Sequence, residues 1–156
     1  MIALKRILVA TDFGEASGVA LDRAEALASA FDAQLHLLHV VDEPLHDPWA
    51  GYTTAADFAN LIERLQEQAR RRLEGERSRK GIPAERLVLA TTWGDPADEI
   101  LEYAARHEID LIVCGTHGRR GWNHLVMGSV AERVVRLARC PVLTVRAEAG
   151  PARAAA

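Results

Sequence analysis

The sequence predicts a single α/β domain built on an open, five-stranded parallel sheet with helices on both faces. Three observations lead there. Short apolar runs alternate with amphipathic helical patterns five times along the chain, an order that yields parallel strands joined by right-handed crossovers. A glycine-rich stretch follows the fourth of these runs, and Asp12 closes the first. In such sheets ligands bind outside the carboxyl ends of the strands, beside strand one, where the winding reverses. If Asp12 and the glycines serve one ligand, strands one and four are neighbours and the strand order is 3-2-1-4-5.

The elements follow in turn. Lys5 to Thr11 (KRILVAT) is a continuous apolar run, as expected of a strand covered on both faces. From Glu15 to Phe31 the apolar positions Ala16, Val19, Ala20, Ala24, Leu27, Ala28 and Phe31 fall three and four apart, the spacing of an amphipathic helix. Gln34 to Val41 reads as the second strand. Asp42 to Asp57, with Pro44, Pro48 and Gly51, breaks all periodicity and reads as a long loop that partly covers a ligand or the core edge. Trp49 and Tyr52 lie in it. A long helix from about Ala55 to Arg79 carries Phe58, Leu61, Ile62, Leu65, Ala69 and Leu73 on one stripe, and Gly81 and Pro83 stop it.

Arg86 to Thr92 is the third strand. Gly94-Asp95-Pro96 then opens a helix with an acidic N-cap and a proline at its first position, and Ile100, Leu101, Ala104 and Ala105 form its buried stripe. Ile109 to Gly115 is the fourth strand. A last helix begins at Ser129, marked by Val130, Ala131, Val134, Val135 and Ala138, and Pro141 to Val145 is the final strand. Residues 147–156 read as a frayed tail.

Length and composition narrow the function. The chain has 156 residues, 49% of them hydrophobic, enough for one core and too few for a second domain. A net charge of −3 gives no basic field for nucleic acid, and the arginines between Glu63 and Lys80 are interspersed with acids, as on a solvated helix face. No apolar run approaches the ~20 residues of a membrane span and no signal peptide opens the chain, so the expected location is cytoplasmic. Cys114 and Cys140 read as small buried hydrophobes, and no Cys/His cluster has zinc-ligand spacing.

The chemistry concentrates between Ile112 and Val130 (IVCGTHGRRGWNHLVMGSV). Glycines at 115, 118, 121 and 128 join a strand to a helix start. There, bare backbone N–H groups and the positive end of the helix dipole can converge on a phosphate. Taken alone, a loop that needs glycines to turn, with Ser129 as an ordinary N-cap, explains the same letters. There is no G-x-x-x-x-G-K-[ST], and the glycines follow strand four rather than strand one, unlike a dinucleotide fingerprint. Asp12-Phe13-Gly14 copies the letters of a kinase motif without its companions, and neither a nucleophile elbow nor a carboxylate pair is identifiable.

Gly115-x-x-Gly118, nine residues, then Gly128-Ser129 resembles the nucleotide-binding signature of the universal stress protein family, in the subgroup that binds ATP. The string GDPADEIL from Gly94 to Leu101 is similar to that family's opening of the third helix, and the resemblance spans nearly everything from Lys5 to Arg146. It implies a Rossmann-like nucleotide-binding domain over residues 1–146, with the strand order already given. It also implies roles. Asp12 would lie near the ribose and phosphates, and Val41 would offer backbone groups to the adenine edge. Gly115, Gly118 and Gly128 would bring main chain close to ribose and phosphates. Ser129 would donate its hydroxyl and N–H to a phosphate, with Val130 supplying the next N–H and Arg119 the side-chain cation; Arg120, His117 and His124 are weaker candidates.

Mg2+ or another divalent ion would accompany ATP, held mostly by phosphates and water. Many relatives carry a serine where this chain has Gly14, so a hydroxyl contact there is missing. The family also implies a homodimer through the last strand, whose exposed edge gives a motive for pairing. With no general base or in-line water activator identifiable, the expected function is a nucleotide-responsive regulatory module in stress response. A slow ATPase or nucleotidyl transferase, and a nucleotide-independent interaction or chaperone-like protein, stand as alternatives.

Overall fold

A computed structural model describes residues 4–42, 55–116 and 127–147. Along the chain run β1 (Arg6–Ala10), α1 (Glu15–Phe31), β2 (Gln34–Asp42), α2 (Ala55–Lys80), a 3-10 turn (Ala84–Arg86), β3 (Leu87–Gly94), α3 (Pro96–Arg106), β4 (Leu111–Gly115), α4 (Ser129–Leu137) and β5 (Val142–Val145). The strands form one parallel sheet in the order β3-β2-β1-β4-β5, as the sequence predicts.

Side chains alternate across a strand, so each strand feeds two cores. Ile7, Val9, Leu37 and Val113 face α1 and α2, where they meet Leu21, Ala24 and Leu73. Leu8, Leu38 and Ile112 face α3 and α4 and meet Ile100, Tyr103 and Val134. Four residues assigned to apolar stripes, Phe31, Ala105, Val130 and Val135, are exposed instead. Phe31 is 48% accessible because it is the last residue of α1, just before the chain turns off through a left-handed Asp32. Val135 is 45% accessible and Ala105 is also exposed: α3 and α4 each cover the sheet with a single narrow face, through Tyr103 and Ala104 and through Ala131 and Val134.

Register shapes the carboxyl edge. Ala10, the last residue of β1, pairs with Leu38 on one side and Cys114 on the other. β2 continues to Asp42 with β3 beside it, Val41 against Trp93 and Asp42 against Gly94, so β3 extends two residues beyond the expected Thr92. Four residues (39 to 42) therefore project about 13 Å past the end of β1, at roughly 3.3 Å each. The result is a step, low over β1 and β4 and high along β2 and β3.

Candidate functional site

The low side of the step is built first by the turn after β1. Thr11 N–H continues the ladder to Leu38 O at 2.9 Å. The chain then folds back: Phe13 N–H donates to Thr11 Oγ1 at 3.0 Å, and Gly14 N–H donates to Asp12 Oδ1 at 2.9 Å. Ser17, in the first turn of α1, lies 2.8 Å from Asp12 Oδ1 and 3.0 Å from Gly14 O. It also accepts the Thr11 hydroxyl at 3.1 Å. The single hydroxyl proton of Ser17 can serve only one of its two acceptors at a time. Asp12 is thus fastened to the start of α1, whose N-cap residue Gly14 makes no side-chain cap of its own.

The second wall comes from β4. An ideal Cβ on Gly115 would sit 2.9 Å from Ala16 Cβ, 3.0 Å from Ala16 C and 3.1 Å from Ser17 N. The glycine is required here because β4 presses on the first turn of α1, a packing reason the sequence could not distinguish from room for a ligand. Below it Cys114 is buried, which pushes its thiol up to about 11, so it stays protonated and packs as a hydrophobe.

Thr116 N–H donates to Val145 O at 2.8 Å, and Gly128 N–H donates to Thr116 O at 2.7 Å. This clasp brings α4 back to the end of β4. Gly128 is the N-cap of α4 and Ser129 its first helical residue, so Ser129 is not the N-cap that its letter alone suggested. Among the described residues no side chain caps this helix, whereas α3 is capped by Asp95 Oδ1, which accepts from Ala97 N–H and Asp98 N–H, both at 3.0 Å. Ser129 is exposed and Val130 is 37% accessible, so the open end of α4 faces outward.

Asp12, Gly115, Gly128, Ser129 and Val130 thus all belong to the carboxyl edge around β1 and β4. Val41 stands on the high side of the step, its own side chain buried. Gly118, Arg119, His117, Arg120, Gly121 and His124 lie outside the described residues, as do Trp49, Tyr52 and residues 148–156. Among the described residues no group of three His, Cys, Asp or Glu could hold a metal ion, and no helix is long and apolar enough to cross a membrane.

Sequence reasoning missed two contributors. Ser17 fastens Asp12, and its position in the first helical turn after a T-D pair was the available signal. Arg133 of α4 donates to Asp95 Oδ1 at 2.8 Å and Asp98 Oδ1 at 2.6 Å, latching α4 to the start of α3; nothing local in the sequence announces that pairing.

Comparison with known proteins supplies the remaining context. The model of the universal stress protein family matches residues 3–146. Universal stress protein MJ0531 of Methanocaldococcus jannaschii is 34% identical over 91% of this chain and 82% of its own length. The solved structure of MJ0577, from the same organism, has a TM-score of 0.78 at 28% identity, covering 96% of this chain and 100% of that one. Universal stress protein UspA of Lactobacillus plantarum gives 0.73 at 32% identity over 92% and 98%. A universal stress protein in complex with cAMP shares the fold at 24% identity and TM-score 0.61, over 94% and 98%. So does an Arabidopsis thaliana family protein with AMP bound, at 21% and 0.60, over 93% of each chain. Sequence, sheet order and these likenesses agree: the chain belongs to the universal stress protein family.

Proposed function

We propose that this protein binds ATP, together with a divalent ion, at the carboxyl edge where β1 meets β4, and that it works as a nucleotide-responsive regulatory module in stress response. The observation that carries the reading is the Thr116–Gly128 clasp, which sets the start of α4, without a side-chain cap among the described residues, against the end of β4. Unpaired N–H groups at a helix start, reinforced by the helix dipole, suit a phosphate. α3 has its own carboxylate there and no such vacancy.

In this reading Ser129 and Val130 hold a phosphate through N–H groups, with the Ser129 hydroxyl beside them, and Gly115, Gly118 and Gly128 let main chain approach the ribose and phosphates. Arg119 adds a cation. Asp12, fixed by Gly14 N–H and Ser17, is a stationary acceptor for the ribose or for water around the ion. The main chain offered to the adenine edge from the high side of the step is that of Val40, since Val41 turns its own N–H and C=O toward β3. The divalent ion would neutralise phosphate charge while leaning on phosphate oxygens and water. Cytoplasmic residence and a homodimer through β5 belong to the same reading, as does a nucleotide-binding domain over residues 1–146 followed by a short tail. The family match ending at residue 146 supports that boundary.

A regulatory role requires only that occupancy follow nucleotide level and stabilise the bound form. Isothermal calorimetry of the protein with ATP and Mg2+ tests the proposal. Saturable heat at one site per chain, weakened by Ser129→Ala, supports it; absence of uptake ends it.

A further inference from the structure

Phe13 carries an unusual backbone. Three residues other than glycine have positive φ among those described: Phe13 at 62°, Asp32 at 52° and Glu108 at 48°. Asp32 and Glu108 lie where α1 and α3 stop, the ordinary place for a left-handed residue. Phe13 lies between a strand and the start of a helix, where no helix stop accounts for it, and a bulky aromatic residue rarely adopts this region. The turn needs it nonetheless. With Phe13 left-handed, its own N–H and that of Gly14 point back to Thr11 Oγ1 and Asp12 Oδ1. The strain of a left-handed aromatic residue is offset by these two hydrogen bonds and by whatever the ring touches outside the turn.

The ring makes such contacts. Phe13 packs against the core beneath α1 and α2, its centroid is 4.6 Å from that of His39, and Arg72 of α2 places its guanidinium carbon 3.9 Å from the ring centroid. His39 Nδ1 lies 2.7 Å from Thr11 O, a carbonyl that only accepts, so Nδ1 carries the proton and the imidazole grips the same turn from the β2 side. Arg72 is an exposed residue whose cation meets the ring face, the favourable geometry for a cation–π contact.

We propose that Arg72 is a positioning residue for Asp12: stacked on Phe13, it holds the left-handed turn that fixes the Asp12 carboxylate at the nucleotide site. The assignment of Asp12 to a nucleotide rests on the function proposed above; the support of the turn by Arg72 does not. The test uses the full chain with Arg72→Met, which keeps the aliphatic stem and removes the cation, and Arg72→Lys, which restores a cation. Amide hydrogen exchange by NMR in the nucleotide-free protein should show Phe13 and Gly14 exchanging about 2- to 5-fold faster in Arg72→Met, the scale of an exposed cation–π contact. Sheet amides such as Leu8 and Val113 should be unchanged, and Arg72→Lys should recover part of the protection.

ATP affinity should weaken by a similar factor in Arg72→Met. The double variant with Asp12→Asn should bind no more weakly than Asp12→Asn alone. Unchanged exchange at Phe13 and Gly14, or equal acceleration throughout the sheet, overturns the proposal whatever ATP does. Faster local exchange with undiminished ATP affinity overturns the link to the site. Failure of the unaltered protein to bind ATP refutes the proposed function instead, and leaves the exchange measurement to decide the role of Arg72.

Discussion

Replacing Gly115 with alanine separates two reasons for a glycine at the end of β4. The added methyl would lie 2.9 Å from Ala16 Cβ and 3.0 Å from Ala16 C, and the neighbouring Ser17 N is 3.1 Å away. Ordinary contacts begin near 3.4 Å, and two of these three atoms are backbone that cannot rotate aside. Overpacking of this kind costs about 1–3 kcal/mol. Loss of glycine freedom in the unfolded chain returns roughly 0.4–1 kcal/mol. The difference spans about 0–2.6 kcal/mol and centres on about 1.3 kcal/mol in the nucleotide-free protein, or roughly 3–5 °C in Tm for a chain of this size. Urea unfolding without nucleotide is the assay: the midpoint should fall with the slope unchanged. Because Ser17 holds Asp12, ATP affinity should fall as well. Unaltered or increased stability of the free variant, with only ATP affinity lost, would refute the packing argument and return Gly115 to the ligand alone.

Ser129→Asp should act in opposite directions: a carboxylate at the start of α4 stabilises the free protein by about 0.3–1 kcal/mol through the helix dipole, and it repels a phosphate, so calorimetry should detect no ATP binding. His36 is held down to about 4 by burial first, then by the nearby charges of His107 and Arg6, so the folded chain keeps it neutral where the unfolded chain protonates near 6.5. Its contribution is complete above that pH and is lost as pH falls toward 4, a loss of roughly 2 kcal/mol by pH 5. Urea titrations at pH 7.5 and 5 should show the loss, and His36→Gln should remove this part of the pH slope. Leu143, 38% accessible on the edge strand β5, should matter for self-association. Leu143→Lys should shift sedimentation from dimer to monomer at micromolar concentration, and a monomeric unaltered protein would dismiss the dimer.

Much of the fold was legible because periodicity and topology are local or logical signals. Alternating patterns specify a parallel sheet, and requiring Asp12 and Gly115 to share a ligand makes β1 and β4 neighbours, as found. Exposure at Phe31 and Val135 was not legible, since a helical stripe says which side is apolar but not how wide a neighbour covers it. The added residues of β3 were equally hidden: Trp93 and Gly94 join the strand because Val41 and Asp42 are there to pair with them. For the candidate site, residue types pointed to the carboxyl edge of β1 and β4, and Asp12, Gly115, Gly128, Ser129 and Val130 do lie along it. The reasons behind them needed coordinates, because the crowding of Gly115 by Ala16 and the left-handed Phe13 arise from distances and dihedrals that letters do not carry.

The early stop of β1 has a consequence for molecular discrimination. Beyond Leu38, the described residues give β2 no strand partner on the β1 side, leaving a stretch of unzipped main-chain margin at Val40 and Asp42. A heterocycle docking along that margin would meet amides and carbonyls, as an additional strand would. Its selectivity would then be written in where one ribbon ends rather than in which side chains line the other, and point substitutions along β2 could alter stability while leaving the choice of base intact.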